Sequence, residues 1–146
     1  MRQTAFNLMR TAPAVYLSTV NAEGFPETRA MLNLCNADLY PSLRGFFAKQ
    51  DPFAVYLTTN TSSAKAGQMN RDGKISLYYC NPSKWLGLMI CGEVLAVKDA
   101  GIISELWQDE WKMYYPSGWN DPDHSVFSIV PVRAKLYSSF SVHEII

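Results

Sequence analysis

Net charge is the first thing missing. Lys plus Arg and Asp plus Glu number 13 each, so the 146-residue chain is formally neutral. Proteins of nucleic acid or of membrane surfaces carry a basic footprint, so neither partner is expected. Histidine is scarce: His124 and His143 stand apart, with no metal-ligand spacing and no convincing carboxylate partner. There is no G-x-S-x-G elbow, and no glycine-rich loop for a nucleoside triphosphate. Cysteine is limited to Cys35, Cys80 and Cys91, an odd number without a CxxC, which reads as three buried, reduced thiols. No apolar run is long enough to span a bilayer. The first residues, MRQTAFNLMRTAP, are amphipathic rather than basic and then apolar, unlike a secretory signal. The cytoplasm is the expected address. Repeats, low-complexity tracts and linkers are also missing, so residues 1–146 read as a single domain.

What the chain does have is aromatic surface: 8 Tyr, 7 Phe and 4 Trp. That is enough flat apolar area to line a ligand site or a subunit interface. Short alternating runs predict strands at 14–20, 27–34, 53–59, 74–80 and 85–97, then 125–132 and 134–142 on either side of Pro131. NAEGFP reads as a hairpin turn between the first two. Gly87 and Gly92 in the fifth run suggest bending or close approach. Helices are predicted at 2–10, 62–70 and 99–115, the last with Asp99 as N-cap. Trp107, Trp111 and Tyr114 recur along it at helical spacing and read as packing against the barrel or a partner subunit, with a ligand contact as the minor option, while Glu105, Asp109 and Glu110 read as a solvated face. Antiparallel strands with few helices suggest a small barrel with helices outside.

Two stretches raise a question of chemistry. In the second strand, Thr28, Ala30, Leu32 and Leu34 share one face and are expected in the core. Arg29, Met31 and Asn33 share the other. Residues 58–63, TTNTSS, then crowd five hydroxyls and an amide before Lys65. Thr61 or Ser62 is expected to cap the following helix. Lys65 then falls in the first turn, where the macrodipole disfavours a cation. A bound anion would resolve that conflict, and a flexible surface lysine would avoid it. Both readings stand on these residues alone.

RAML at 29–32, TTNTSSAKAGQ at 58–68 and the glycine-containing LMICGEVLAV, in that order and spacing, resemble the FMN-binding split barrels related to pyridoxamine 5′-phosphate oxidase. The loop YPSGWNDPD at 115–123 resembles the general-stress-protein branch of that family. The resemblance spans roughly residues 12–140. It implies a mainly β fold, a six-stranded antiparallel Greek-key split barrel with a few flanking helices. It also implies a homodimer with FMN in the clefts between subunits. Carried over, Arg29, Lys65 and Ser63 would hold the FMN phosphate. Ala30, Met31 and Leu32 would run along the isoalloxazine ring, and Thr58 and Thr59 would meet its edge or the ribityl chain. Gln68 and Tyr137 complete the set.

The implied function is FMN-dependent hydride or electron transfer to a small-molecule substrate, with NAD(P)H a candidate donor and no assigned catalytic acid or base. The alternative is a module that binds flavin, haem or a deazaflavin without turnover. Several positions depart from the oxidase itself. Ala64 replaces an arginine beside the phosphate lysine, and Leu34 stands near its substrate-phosphate lysine. Gly87 stands where a strand glutamine meets the flavin, and Tyr137 replaces a tryptophan. The chain ends at SVHEII without the C-terminal R-x-H segment. Pyridoxine 5′-phosphate oxidation is therefore not expected.

Overall fold

Alternating apolar and polar residues build a single antiparallel sheet in the structure, a computed structural model that describes residues 1–146. Strand β1 (Ala14–Val20) buries Val15, Leu17 and Thr19. The Asn21 side-chain carbonyl then accepts the N–H groups of Glu23 and Phe25 and turns the chain back as β2 (Pro26–Leu32). The expected hairpin is present. Strands β3 (Val55–Asn60), β4 (Lys74–Asn81), β5 (Leu86–Ala96), β6 (His124–Ser138) and β7 (Ser141–Glu144) follow, in the order β2-β1-β4-β5-β6-β3 with β7 on β6. The fold is mainly β, as expected, but with seven strands rather than six. The chain turns at residues 139–140 and pairs once more with β6, Val142 opposite Tyr137.

Strands β2 and β3 end the sheet order on opposite sides, yet they come into contact without pairing. The sheet is thus curled into a barrel with one open seam. Residues 125–138 are one strand rather than two. Proline lacks a ladder N–H, and Pro131 is accommodated at a bulge where the β5 register shifts between Cys91 and Gly92. Gly92 is needed there, because a Cβ would lie 2.5 Å from the Val130 carbonyl oxygen. Gly87 serves a different approach, since its Cβ would overlap the Tyr78 hydroxyl at 1.9 Å.

Helix α1 (Arg2–Thr11) buries Ala5, Leu8 and Met9 against the barrel core. Helix α2 (Arg44–Ala48) belongs with a second core that includes Leu34, Tyr40, Leu106, Trp111 and Tyr115. Helix α3 (Ala64–Arg71) follows β3. No helix is long and apolar enough to cross a membrane.

Helix α4 (Ala100–Leu106) has the expected Asp99 cap, whose carboxylate accepts the Ile102 N–H at 3.1 Å, but it does not run to residue 115. Trp107 is extended, and a 3-10 turn, Asp109–Met113, replaces the rest. Tertiary packing overrides helix propensity here. The Trp107 ring packs edge-on to Trp111 at 5.7 Å and near Tyr115 and His124, and Gln108 Nε2 donates to the Trp107 carbonyl and to Ser42 Oγ. Trp107 and Trp111 pack as expected. Tyr114 does not, and Tyr115 takes its place.

The faces of β2 are the reverse of the expectation. Met31 and Asn33 are buried, and Thr28, Ala30 and Leu32 are exposed. Register sets this: Met31 lies opposite Val15 and Arg29 opposite Leu17, both inward residues of β1. Leu34 lies beyond the strand and packs in the second core. The cysteines are free, as expected, but half-buried rather than fully buried.

Candidate functional site

Helix α3 starts after Ser63, whose hydroxyl oxygen accepts the Ala66 N–H at 3.3 Å. The cap is therefore Ser63, not Thr61 or Ser62, and Lys65 is the second helical residue. The chain contains two ion pairs, Arg29–Glu27 and Lys135–Glu144, and Lys65 belongs to neither. Partial burial, then the positive charge of Arg29, pulls the Lys65 ammonium below its ordinary pKa. Two cations thus share one field at the start of α3, where helix N–H groups also favour an anion.

Arg29 is held from behind. Its Nη1 donates to Thr19 Oγ1 at 2.6 Å and to the Glu27 and Leu17 carbonyls. Its Nη2 donates to Gln68 Oε1 at 3.3 Å. Desolvation lowers its pKa, against the opposing pull of Glu27. Gln68 faces inward, only 8% exposed. Its Oε1 also accepts from the Thr19 hydroxyl, and its Nε2 donates to Glu27 Oε1 at 2.8 Å. The Gln68 bond and then one donated by Asn21 Nδ2 hold the Glu27 carboxyl below its ordinary pKa. Gln68 is the bridge that aims the guanidinium.

Residues 60–62 have another duty: they anchor the loop at 115–123. Asp123 accepts from Asn60 Nδ2 and from the Ser62 N–H, each at 2.8 Å, and these bonds hold its carboxyl below the ordinary range. The Thr61 N–H donates to the Asp123 carbonyl at 2.7 Å, and Thr61 Oγ1 donates to the Pro122 carbonyl at 3.0 Å. Ser63 Oγ donates to the Asn60 carbonyl at 2.7 Å. Thr58 meets His124: Nδ1–H donates to the Trp119 carbonyl at 2.9 Å, and Nε2 shares a hydrogen bond of 2.7 Å with Thr58 Oγ1. Thr59 stays uncommitted.

At the open seam between β2 and β3 lies a cleft of about 660 Å³, within the range of roughly 300–1,000 Å³ typical of small-molecule sites. Ala30, Met31, Leu32, Thr58, Thr59 and Lys65 line one side of it. Six of the ten expected site residues are thus brought together. Arg29 and Gln68 adjoin them through the network behind Lys65, and Ser63 fixes the helix turn. Tyr137 is elsewhere. It sits on β6 between Gly87 and Val142, outside this cleft.

In the remaining wall only Trp111 and Tyr114 carried a ligand contact as the minor option beside packing. That wall comes from Tyr40, Glu110, Trp111, Tyr114 and Tyr115, near His124. The 107, 111, 115 spacing carried a signal for the inward rings, but Glu110 carried none beyond a surface charge. Tyr78 was also missed, although the missing Cβ at Gly87 is what admits its ring.

This donor set fits a flat ring bearing a phosphate. It offers Lys65 in the cleft with Arg29 adjoining it, an apolar strand edge and the uncommitted Thr59 hydroxyl. Solved structures share the fold. A protein from Clostridium acetobutylicum related to general stress protein 26 of B. subtilis, of the pyridoxinephosphate oxidase family, superposes with a TM-score of 0.78 at 25% identity, covering 98% of this chain and 92% of that one. General stress protein 26 from Bacillus anthracis gives 0.71 at 13% identity, with 99% and 100% covered. A pyridoxamine 5′-phosphate oxidase-related, FMN binding protein from Nostoc punctiforme gives 0.67 at 16% identity, with 98% and 86% covered. No curated protein sequence matches. The family model described as pyridoxamine 5′-phosphate oxidase matches residues 1–138, and the chain belongs to that family.

Proposed function

We propose that the chain is an FMN-binding oxidoreductase that works as a homodimer. The observation that carries the reading is the convergence of Lys65 and Arg29 beside an apolar cleft at the seam. Lys65 and Arg29 hold the phosphate, with Gln68 orienting Arg29 and Ser63 setting the first turn of α3. Ala30, Met31 and Leu32 form an apolar edge for the ring, and Thr59 offers a hydrogen-bonding group. Thr58 is oriented by His124. When bound, FMN supplies the hydride or electron transfer, and the chain supplies anchoring, orientation and a shaped second wall. No side chain is assigned as acid or base.

The outer face of the sheet supports the dimer reading. Ala30, Tyr16, Tyr78 and Met89 lie in register across four strands, and Tyr137 and Val142 pair beside Gly87. Tyr16, Leu32, Tyr78 and Val142 expose apolar surface there, and Ala30 and Leu32 make it continuous with the cleft. Contiguous exposed apolar surface marks an interaction site. A second copy on this face would exclude water from the flavin and bring its Tyr137 toward the cleft.

Two assays test the reading. Steady-state oxidation of NADPH or NADH by the FMN-loaded protein supports an oxidoreductase, and absent turnover with either donor and common acceptors reduces it to a binder. Sedimentation equilibrium should give a dimer, and a monomer with FMN bound would refute the shared site. Pyridoxine 5′-phosphate is expected to be a poor substrate, since buried Leu34 supplies no charge for its phosphate.

A further inference from the structure

The break after α4 gives the cleft a wall of unusual composition. Ending the helix at Leu106 lets the 3-10 turn Asp109–Met113 bring Trp111 inward, while Tyr114 stays 65% exposed at the rim. Tyr40 joins them from the segment after β2, its ring 6.3 Å from Trp111, and Tyr115 completes a set of four rings on one cleft. Glu110 is the only acidic residue lining it, and Lys65 the only basic one. Glu110 belongs to neither of the chain's two ion pairs.

We propose that this wall selects a flat, cationic compound as the second ligand of the cleft, held by the Glu110 carboxylate and the exposed Tyr114 ring, with Tyr40 and Trp111 lining the wall behind it. The proposal deepens the flavin reading and rests on it in one respect: a bound phosphate neutralises Lys65. Glu110 is then the remaining formal charge on the cleft wall. Aromatic faces carry negative quadrupole potential and attract cations, most strongly where water is displaced. A carboxylate beside them adds attraction of the same sign and repels an anion. The field of Glu110 reaches the rings: the Tyr40 phenol is pushed above its ordinary pKa by burial first and by the Glu110 charge second. A neutral flat ligand would gain only the apolar contact.

Three soluble probes that share one ring separate these cases: 1-methylnicotinamide, a cation; nicotinamide, neutral; and nicotinate, an anion. Each is titrated calorimetrically into FMN-saturated protein. The cation is expected to bind about tenfold more tightly than nicotinamide, with nicotinate the weakest. Glu110→Gln should bring cation and neutral probe to nearly equal affinity. Tyr114→Ala, a change at an exposed position, should weaken the cation more than nicotinamide. Equal binding of all three probes, tightest binding of nicotinate, undetectable 1-methylnicotinamide binding, or a cation preference that survives Glu110→Gln would each overturn the proposal. Flavin uptake is read separately by fluorescence. A protein that takes up FMN without preferring the cation refutes this proposal alone. One that prefers the cation without taking up FMN refutes the flavin reading alone.

Discussion

Replacing Lys65 with Met isolates the anion seat. Methionine nearly keeps the length and packing of the side chain and removes its charge. Lys65 is a cleaner target than Arg29, whose loss would also strand Thr19, Gln68 and Glu27. A charge-assisted hydrogen bond to a phosphate contributes about 1.5–3 kcal/mol, so FMN affinity should fall about tenfold to a hundredfold. Riboflavin carries the same ring without the phosphate and should bind both proteins alike, weakly. Raising ionic strength should weaken FMN binding to the wild type more than to Lys65→Met.

Protons provide a second signature. Partial burial and then the neighbouring Arg29 depress the Lys65 pKa from 10.5. A phosphate beside it favours the charged form and raises the pKa again. FMN binding should therefore take up protons below the ordinary lysine range, and Lys65→Met should abolish that uptake. Calorimetry in buffers of different ionisation enthalpy reads both affinity and proton uptake. Equal losses for FMN and riboflavin, or no loss for either, would place the phosphate elsewhere.

Gln68→Ala should cost about 1–3 kcal/mol in urea unfolding, since it leaves Thr19 and Arg29 short of a buried acceptor. It should also weaken FMN more than riboflavin. Burial pushes the Cys35 thiol from 9.0 up to about 12. Between those values the unfolded chain releases a proton that the folded chain keeps, so stability falls as pH rises. Cys35→Ala should flatten the part of that loss beginning near pH 9.0, leaving the loss above 10.0 to the tyrosines whose phenols burial also raises, fully buried Tyr79 with Tyr40, Tyr78 and Tyr115. Gly87→Ala forces the Tyr78 ring aside at a cost of about 1 kcal/mol. A Tyr78→Ala background should remove most of that cost, a coupling that a double-mutant cycle measures.

Local patterns revealed much of the barrel because alternation, turn residues and the Asp99 cap act within a few residues. What failed depends on partners distant in sequence. The two faces of β2 each mix polar and apolar residues, and only pairing with β1 decides that Arg29 and Met31 point inward. The helix over 99–115 carries no glycine or proline after Gly101, and its end at Leu106 comes from aromatic packing with His124 and a side-chain bridge to Ser42. The motif at 58–68 lies at the seam through Thr58, Thr59 and Lys65, while the tie of Asn60, Thr61 and Ser62 to the loop depends on Pro122 and Asp123, some sixty residues away. Tyr137 has no place in the cleft of its own chain, and no local signal could supply a second copy.

Flavin uptake by the purified wild-type protein tests the central claim most directly. Titrating FMN while following its fluorescence should show quenching that saturates at equimolar FMN and protein, with a visible flavin spectrum retained after gel filtration. Unquenched fluorescence across the titration, with a colourless protein recovered from the column, would contradict the account.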